Sequence, residues 1–291
     1  MKKYAILAIV FVGLLVFSVS AYCAQWQNLI EQMANGSVNW TKGVVQATGI
    51  GVPPEKYFGK PQARPMALRA AKLDAMRNLL EATKGVRIDS TTMVKDYVVE
   101  SDIIMSQVEG MVKGAQVVHH EYMSDGTVEV TMQMSLMGGF AQLILPKEIK
   151  QVESIRPVLP VHKAPIVEPS APAPKPVSEV FTGMVIDARG INARPAMAPK
   201  ILNENGEEVY GSAYVSREFA VQQGMSGYAK DLTAAQSNPR VTNSPLTVKG
   251  LRTEGFGRSD IVISNADASR LRSASEHLSF LKKCRVMIVV D

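Results

Sequence analysis

Gly49-Ile50-Gly51-Val52-Pro53-Pro54, followed by Ala63-Arg64-Pro65-Met66-Ala67-Leu68-Arg69-Ala70-Ala71-Lys72-Leu73-Asp74-Ala75-Met76-Arg77-Asn78-Leu79-Leu80-Glu81, decides the architecture of the first half of the chain. The residues leading into the first run alternate: Val44, Gln46, Thr48 and Ile50 lie on one side, Val45, Ala47 and Gly49 on the other. That is the period of a strand. Gly51, Pro53 and Pro54 end it. In the second run Ala67, Ala71, Ala75 and Leu79 recur every fourth residue, which predicts a helix over 63–83. Its apolar stripe is small in side-chain volume, so the helix is expected to sit close on a sheet. Gly85 stops it.

Working outward, Ala115 to Met123 and Thr127 to Leu136 read as two strands around Asp125-Gly126, a strong hairpin signal. Val128, Val130, Met132 and Met134 alternate with Glu129, Thr131, Gln133 and Ser135, so one face should be buried and the other wet. Gln25 to Ala34 is expected to be a short helix, with Trp26, Leu29, Ile30 and Met33 on one side. Val86 to Ile88 reads as a short strand, Val94 to Val99 as strand-like, and Ser101 to Val112 as helical. The unit spanning 25–150 is therefore α+β, with helices on one face of a largely antiparallel sheet.

Residues 151–179 form the clearest break in composition. Pro157, Pro160, Pro165, Pro169, Pro172, Pro174 and Pro176 exclude regular helices and ladders and predict a semi-rigid linker. Beyond it, 180–291 reads as a second α+β or α/β unit. Strands are expected at Val180 to Ala188, Lys200 to Leu202, Glu207 to Tyr210, near Leu246 to Val248, at Asp260 to Ser264 and at Arg285 to Val290. Short helices are expected at Glu218 to Gln223 and Tyr228 to Gln236. A longer one should span Asn265 to Leu281, capped by Asn265 or Asp267.

The start of the chain reads as an export signal over 1–24. Lys2 and Lys3 precede an apolar run from Tyr4 to Val19 that is short for a roughly 20-residue membrane span, and small residues follow. Val19 and Ala21 suit cleavage before Tyr22. A retained anchor is the alternative. Cys23 stands near the position of a lipidated cysteine, but Tyr22 before it is too bulky for a good lipoprotein site. If Cys23 survives cleavage, a bridge to Cys284 is open to it; otherwise Cys284 is a lone thiol, expected to be buried. The formal charge of +5 falls to about +3 once Lys2 and Lys3 are removed, too dilute to imply nucleic acid.

The motifs of catalysis are sparse. His119 and His120 are adjacent on a strand and point to opposite faces, so they do not chelate one metal together. His162 lies in the linker and His277 has only Glu276 beside it. Gly49-x-Gly51 lacks the third glycine and the immediate helix of a dinucleotide fingerprint, and no Gly-x-Ser-x-Gly elbow occurs. No catalytic, cofactor-binding or metal residue is assigned. Two polar groups remain as partner contacts. Arg64, Arg69, Lys72 and Arg77, with Arg87 nearby, form the most basic neighbourhood, read as a solvated helix face with local ion pairs or as a contact for an acidic surface, a lipid headgroup or a glycan. Asp187, Arg189 and Arg194 follow a strand, where a structural ion pair is the first reading. Asp260, beside Arg258, invites the same one.

The Gly-x-Gly strand and its alanine- and arginine-rich helix, then Gly85-Val86-Arg87-Ile88 and the pair Gly110 and Gly114, resemble the domain shared by the twenty-kilodalton bacterial surface lipoproteins and the N-terminal part of flagellar assembly protein T. The resemblance covers about residues 36–140. It implies an exported envelope protein without enzymatic activity, and it transfers no catalytic residue. The expected role is a periplasmic or outer-membrane-associated assembly or scaffold factor, with a flagellar structure as one setting. Its partners would be envelope or flagellar proteins, with peptidoglycan or a membrane surface as further contacts and nucleic acid excluded. A glycan-binding module, or a glycan hydrolase using Asp187 or Asp260 as an acid, is the alternative for the C-terminal unit.

Overall fold

The computed structural model describes residues 27–149, 181–273 and 275–291. The export signal with Cys23, and the proline-rich segment with His162, lie outside the described residues.

The chain folds as two α+β units, each built on its own sheet. The first sheet contains β1 (Ile30–Met33), β2 (Gly36–Asn39), β3 (Val44–Gly51), β4 (Gln116–Tyr122) and β5 (Val128–Ser135). Their spatial order is β1-β2-β3-β5-β4, antiparallel throughout. Helix α1 (Ala63–Lys84) crosses one face. Val128, Val130, Met132 and Met134 of β5 are buried on that side. The opposite face is polar: Gln46 donates to Gln133 at 2.8 Å and Thr48 pairs with Thr131 at 3.0 Å.

Two glycines set how closely α1 approaches. An ideal Cβ on Gly49 would stand 2.0 Å from the Ala75 nitrogen and 2.5 Å from the Ala71 carbonyl oxygen. On Gly51 it would stand 2.1 Å from the Ala67 oxygen and 2.4 Å from the Ala71 nitrogen. Strand and helix backbones therefore touch, and the fully buried Ala67, Ala71 and Ala75 complete the seat. The same proximity solves an accounting problem. β2 stops opposite Gln46, leaving the β3 backbone beyond it without a partner on that side. Asp74 accepts the Ile50 N–H at 3.0 Å, and Asn78 donates to the Thr48 carbonyl at 2.8 Å.

Three expectations in this unit are corrected. The described part of the helix expected over 25–34, residues 27–34, is not helical: β1 pairs with β2 across a tight turn at Ala34-Asn35. The spacing of Leu29, Ile30 and Met33 suits either state, and strand pairing decides it. Val86 to Ile88 contributes only a single bridge, Arg87 to Met93. Val94 to Val99 is helical, within α2 (Val94–Glu100). Asp96 accepts the Met93 N–H at 2.7 Å, closing the first turn, and Val94 and Val98, one turn apart, bury together. Helices α3 (Asp102–Lys113) and α4 (Gly139–Ile144) follow.

The second sheet has seven strands: β6 (Gly183–Asp187), β7 (Ile201–Leu202), β8 (Glu208–Tyr210), β9 (Gly227–Ala229), β10 (Pro245–Glu254), β11 (Asp260–Ile263) and β12 (Val286–Val289). They lie in the order β8-β7-β11-β10-β6-β12-β9. β6 runs parallel to both β10 and β12, while β10 and β11 form an antiparallel hairpin. The central strands are buried on both faces, as their Val- and Ile-rich runs require. Helices α5 (Arg217–Gln223), α6 (Leu232–Gln236), α7 (Asn265–Arg272) and α8 (Ser275–Lys282) complete the unit.

Two further corrections fall here. The expected helix from Tyr228 splits into β9 and a short α6 that begins at Asp231, whose carboxylate accepts the Ala234 N–H at 2.7 Å. The expected helix from Asn265 to Leu281 is two helices, and its cap is Ser264, whose hydroxyl accepts the Asp267 N–H at 3.0 Å.

Gly49→Ala should destabilise the protein by about 3 kcal/mol or more, because the added methyl meets backbone that cannot move aside. Gly110→Ala, in helix α3 with open space around it, should instead stabilise it by up to about 1 kcal/mol. Urea denaturation of the two variants beside the parent checks both signs.

Candidate functional site

Three groups of polar side chains among the described residues bear on function. The first is the seam between the two units. Glu31 of β1 is its centre: it accepts hydrogen bonds from Trp40 Nε1 at 2.9 Å, from the Arg87 guanidinium, and from Arg194 at 2.9 Å. Burial alone would raise the Glu31 carboxyl, but Arg87, Trp40 and Arg194 together hold it below its ordinary value. Arg87 also donates through Nε to the Pro195 carbonyl at 2.9 Å. The segment after Pro195 then pairs with the first unit, Met197 N–H to the Arg87 carbonyl at 3.1 Å and Ala198 N–H to that of Ile88 at 2.7 Å.

Other contacts extend the seam. Ser90 donates to the buried Asp260 at 2.5 Å, and the Gly257 N–H reaches the Ser90 carbonyl at 2.6 Å. Arg217 donates to the carbonyls of Pro146 and Gln142 at 2.9 and 2.8 Å, beside the C-terminal end of α4, a favourable place for a cation. Trp40 meets Tyr228 edge to face with centroids 5.7 Å apart, and the Tyr228 hydroxyl is held by both backbone groups of Ala196. Burial pushes that hydroxyl up to about 12. The cavity between Trp40, Met137, Met197 and Tyr228 measures about 20 Å³, close to the space of one water and too small for a substrate.

The second place is the end of β6. Asp187 accepts from Arg189 Nε at 2.8 Å and Nη2 at 3.0 Å, and Lys249 stands 3.5 Å away. The Arg189 hydrogen bonds bring the Asp187 carboxyl down to about 2. The adjacent Gly190 N–H is taken by Asp291 at 3.0 Å. This is the ion pair expected from the sequence. Arg194, grouped with it there, instead reaches Glu31 across the seam.

The third place is the outer surface of α1. Arg69 and Arg77 are exposed, with exposed Leu73 between them one turn from each, while Lys72 lies on the half-buried flank. Arg64, at the start of the helix, stacks over Tyr122 of β4 at 5.6 Å. The four cations are spread around the helix and do not converge on one point. Arg87, counted with them on sequence grounds, is buried and belongs to the seam.

These arrangements bear on the alternative of a glycan hydrolase. Asp187 is held ionised by Arg189 and cannot serve as a proton donor near neutral pH. Asp260 is raised by burial, yet it is enclosed and bonded to Ser90 and to the Lys200 N–H. Cys284 is buried, with its thiol raised to about 11 by that burial, unlike an activated nucleophile. Among the described residues no three His, Cys, Asp or Glu side chains are placed to hold a metal ion. His119 and His120 lie opposite Thr131 and Val130, hence on opposite faces of the sheet.

The seam residues Glu31, Trp40, Ser90 and Tyr228 carry no signal in their own neighbourhoods, since each is defined by a partner far along the chain. Comparison with known proteins bears on the second unit. The family described as Treponema pallidum Tp0624, second domain, matches residues 183–291, the span from β6 to the final residue. No curated protein matches the chain.

Two substitutions test these assignments. Arg87→Ala leaves Glu31 and the Pro195 carbonyl without their shared donor and should cost roughly 2–4 kcal/mol, read by thermal or chemical denaturation. For Asp187 the folded value lies below the ordinary 3.8, so its contribution is complete above about pH 4 and fades as pH falls towards 2. The stability deficit of Asp187→Asn should follow that course: present at pH 7, shrinking below pH 4.

Proposed function

We propose that this chain is an exported, non-enzymatic protein of the bacterial envelope that acts as an assembly or scaffold factor in the periplasm or at the outer-membrane periphery. The likeness of residues 36–140 to the surface-lipoprotein and flagellar-assembly domain supports this reading and makes a flagellar structure one setting for it. The charged leader and its apolar run support export. The carrying observation is how the side chains are deployed. The buried acids and arginines hold the two units to each other, while large apolar groups remain outside: Phe256 is 99% exposed, Val99 86% and Ile103 72%. Apolar groups left on a surface suit contact with another macromolecule. Arg69, Leu73 and Arg77 add a mixed basic and apolar stripe suited to an acidic protein surface.

In-cell cross-linking of a C-terminally tagged chain, followed by mass spectrometry, should recover one or two stoichiometric envelope proteins. Cross-links should fall on α1 or near Val99, Ile103 and Phe256. Recovery of the chain without an enriched partner, together with salt-resistant sedimentation on peptidoglycan, would replace the scaffold reading with a glycan-binding one.

A further inference from the structure

Two sheets have four edges, and three of them are short. β1 has four residues, and β8 and β9 have three each. The fourth edge, β4, is seven residues long, Gln116-Val117-Val118-His119-His120-Glu121-Tyr122, and every one of them is exposed. Among the described residues nothing pairs with its outer side. Edge strands are ordinarily protected by Lys, Pro, inward charges, bulges or shortness. β4 contains no Lys or Pro, and its register shift, between Val117 and His119, leaves His119 to Tyr122 in regular pairing with β5.

The direction of its hydrogen bonds follows from the hairpin. Met123 donates to the Thr127 carbonyl at 2.8 Å. Counting back by twos along the antiparallel ladder, Glu121 and His119 direct their backbone groups to β5, opposite Glu129 and Thr131. His120 and Tyr122 direct theirs outward. A strand added antiparallel to this edge must therefore meet His120 and Tyr122 with residues whose backbone groups are free.

We infer that β4 is a homodimerisation edge, on which β4 of a second copy pairs antiparallel about a two-fold axis at His120. Side-chain charge selects both the occupant and the register. Centring on His120 sets each His119 directly opposite Glu121 of the other copy, twice over. Centring on Glu121 would set two carboxylates face to face. Centring on His119 would leave Glu121 opposite Val117. Shifting by half a step would oppose an outward backbone group to an inward one. Within one copy Glu121 faces Glu129 across the ladder, and His119 approaches it at 4.0 Å. The second copy brings a further imidazole directly opposite that carboxylate. An imidazole N–H set directly across a ladder from a carboxylate can donate to it, whereas like charges placed there oppose pairing, and a surface that complements itself is what a two-fold interface requires. Pairing would join the two five-stranded sheets into one of ten strands. The inference does not depend on the envelope role.

Sedimentation velocity of the purified chain up to about 100 μM, a range suited to small, transient interfaces, should show a monomer–dimer equilibrium. Glu121→Lys, which also relieves the repulsion from Glu129 and so spares the fold, should weaken the dimer at least tenfold. Adding His119→Glu to Glu121→Lys places opposite charges across the two-fold axis and should recover it. His120→Pro removes an outward N–H while leaving the β5 ladder intact, and should give a monomer. In hydrogen exchange, the His120 and Tyr122 amides should gain protection as concentration rises, while those of His119 and Glu121 are protected throughout. A chain that stays monomeric at the highest concentration overturns the inference. So does a dimer indifferent to Glu121→Lys, or one that the double variant fails to recover.

Discussion

The contact of α1 with β3 is the constraint on which the first unit rests. Gly49 and Gly51 remove the side chains from the end of one face of the strand, and Ala67, Ala71 and Ala75 do nearly the same on the helix. What remains is backbone against backbone. At that separation Asp74 and Asn78 reach the outer edge of β3 and replace the partner that β2 is too short to provide. The sheet can then stop at a four-residue strand without leaving these peptide groups unpaired. A bulkier seat would lift the helix away from the sheet and from the edge that its side chains serve.

The second organising feature is the commitment of charge to the seam. Glu31, Arg87 and Arg194 form a partly buried cluster in which a carboxylate is met by two guanidinium groups and an indole N–H. Such a cluster is costly to desolvate and becomes favourable only when every member is satisfied. Here Arg87 also holds a carbonyl of the second unit. The geometry fixes where the units meet and uses up the strongest charged groups in doing so. The outer surface is left with its basic helix face, its scattered apolar groups and one long strand edge.

Much of the first sheet was legible in the chain. The Gly-x-Gly strand, the four-residue alanine stripe and the Asp125-Gly126 hairpin all announce themselves over short distances, because steric fit and turn geometry are local. The class of the first unit followed from them; the second, read from its own strands and helices, was left between α+β and α/β. The errors share one cause. Leu29, Ile30 and Met33 fit a helix as well as a strand, and the choice was made by pairing with β2. Val94, Val98 and Val99 favour a strand by their branching, yet Asp96 closes a helical turn and two of the valines bury one turn apart. The seam was not legible at all: Glu31 meets Arg87 and Arg194 from 56 and 163 positions away, and no local pattern marks such a meeting. Asp187 with Arg189 was legible because the pair is two residues apart; Arg194 was wrongly grouped with them for the same reason.

The pairing of Met197 and Ala198 with Arg87 and Ile88 has a consequence for how the chain comes apart. The short β1 is held on one side by β2 and, through Glu31, by arginines that the second unit keeps in place. Loosening the second unit withdraws Arg194 and the Pro195 carbonyl together, which leaves the Glu31 carboxylate under-compensated and weakens the first sheet at its edge. The two sheets should therefore melt together, with unfolding beginning where their backbones meet.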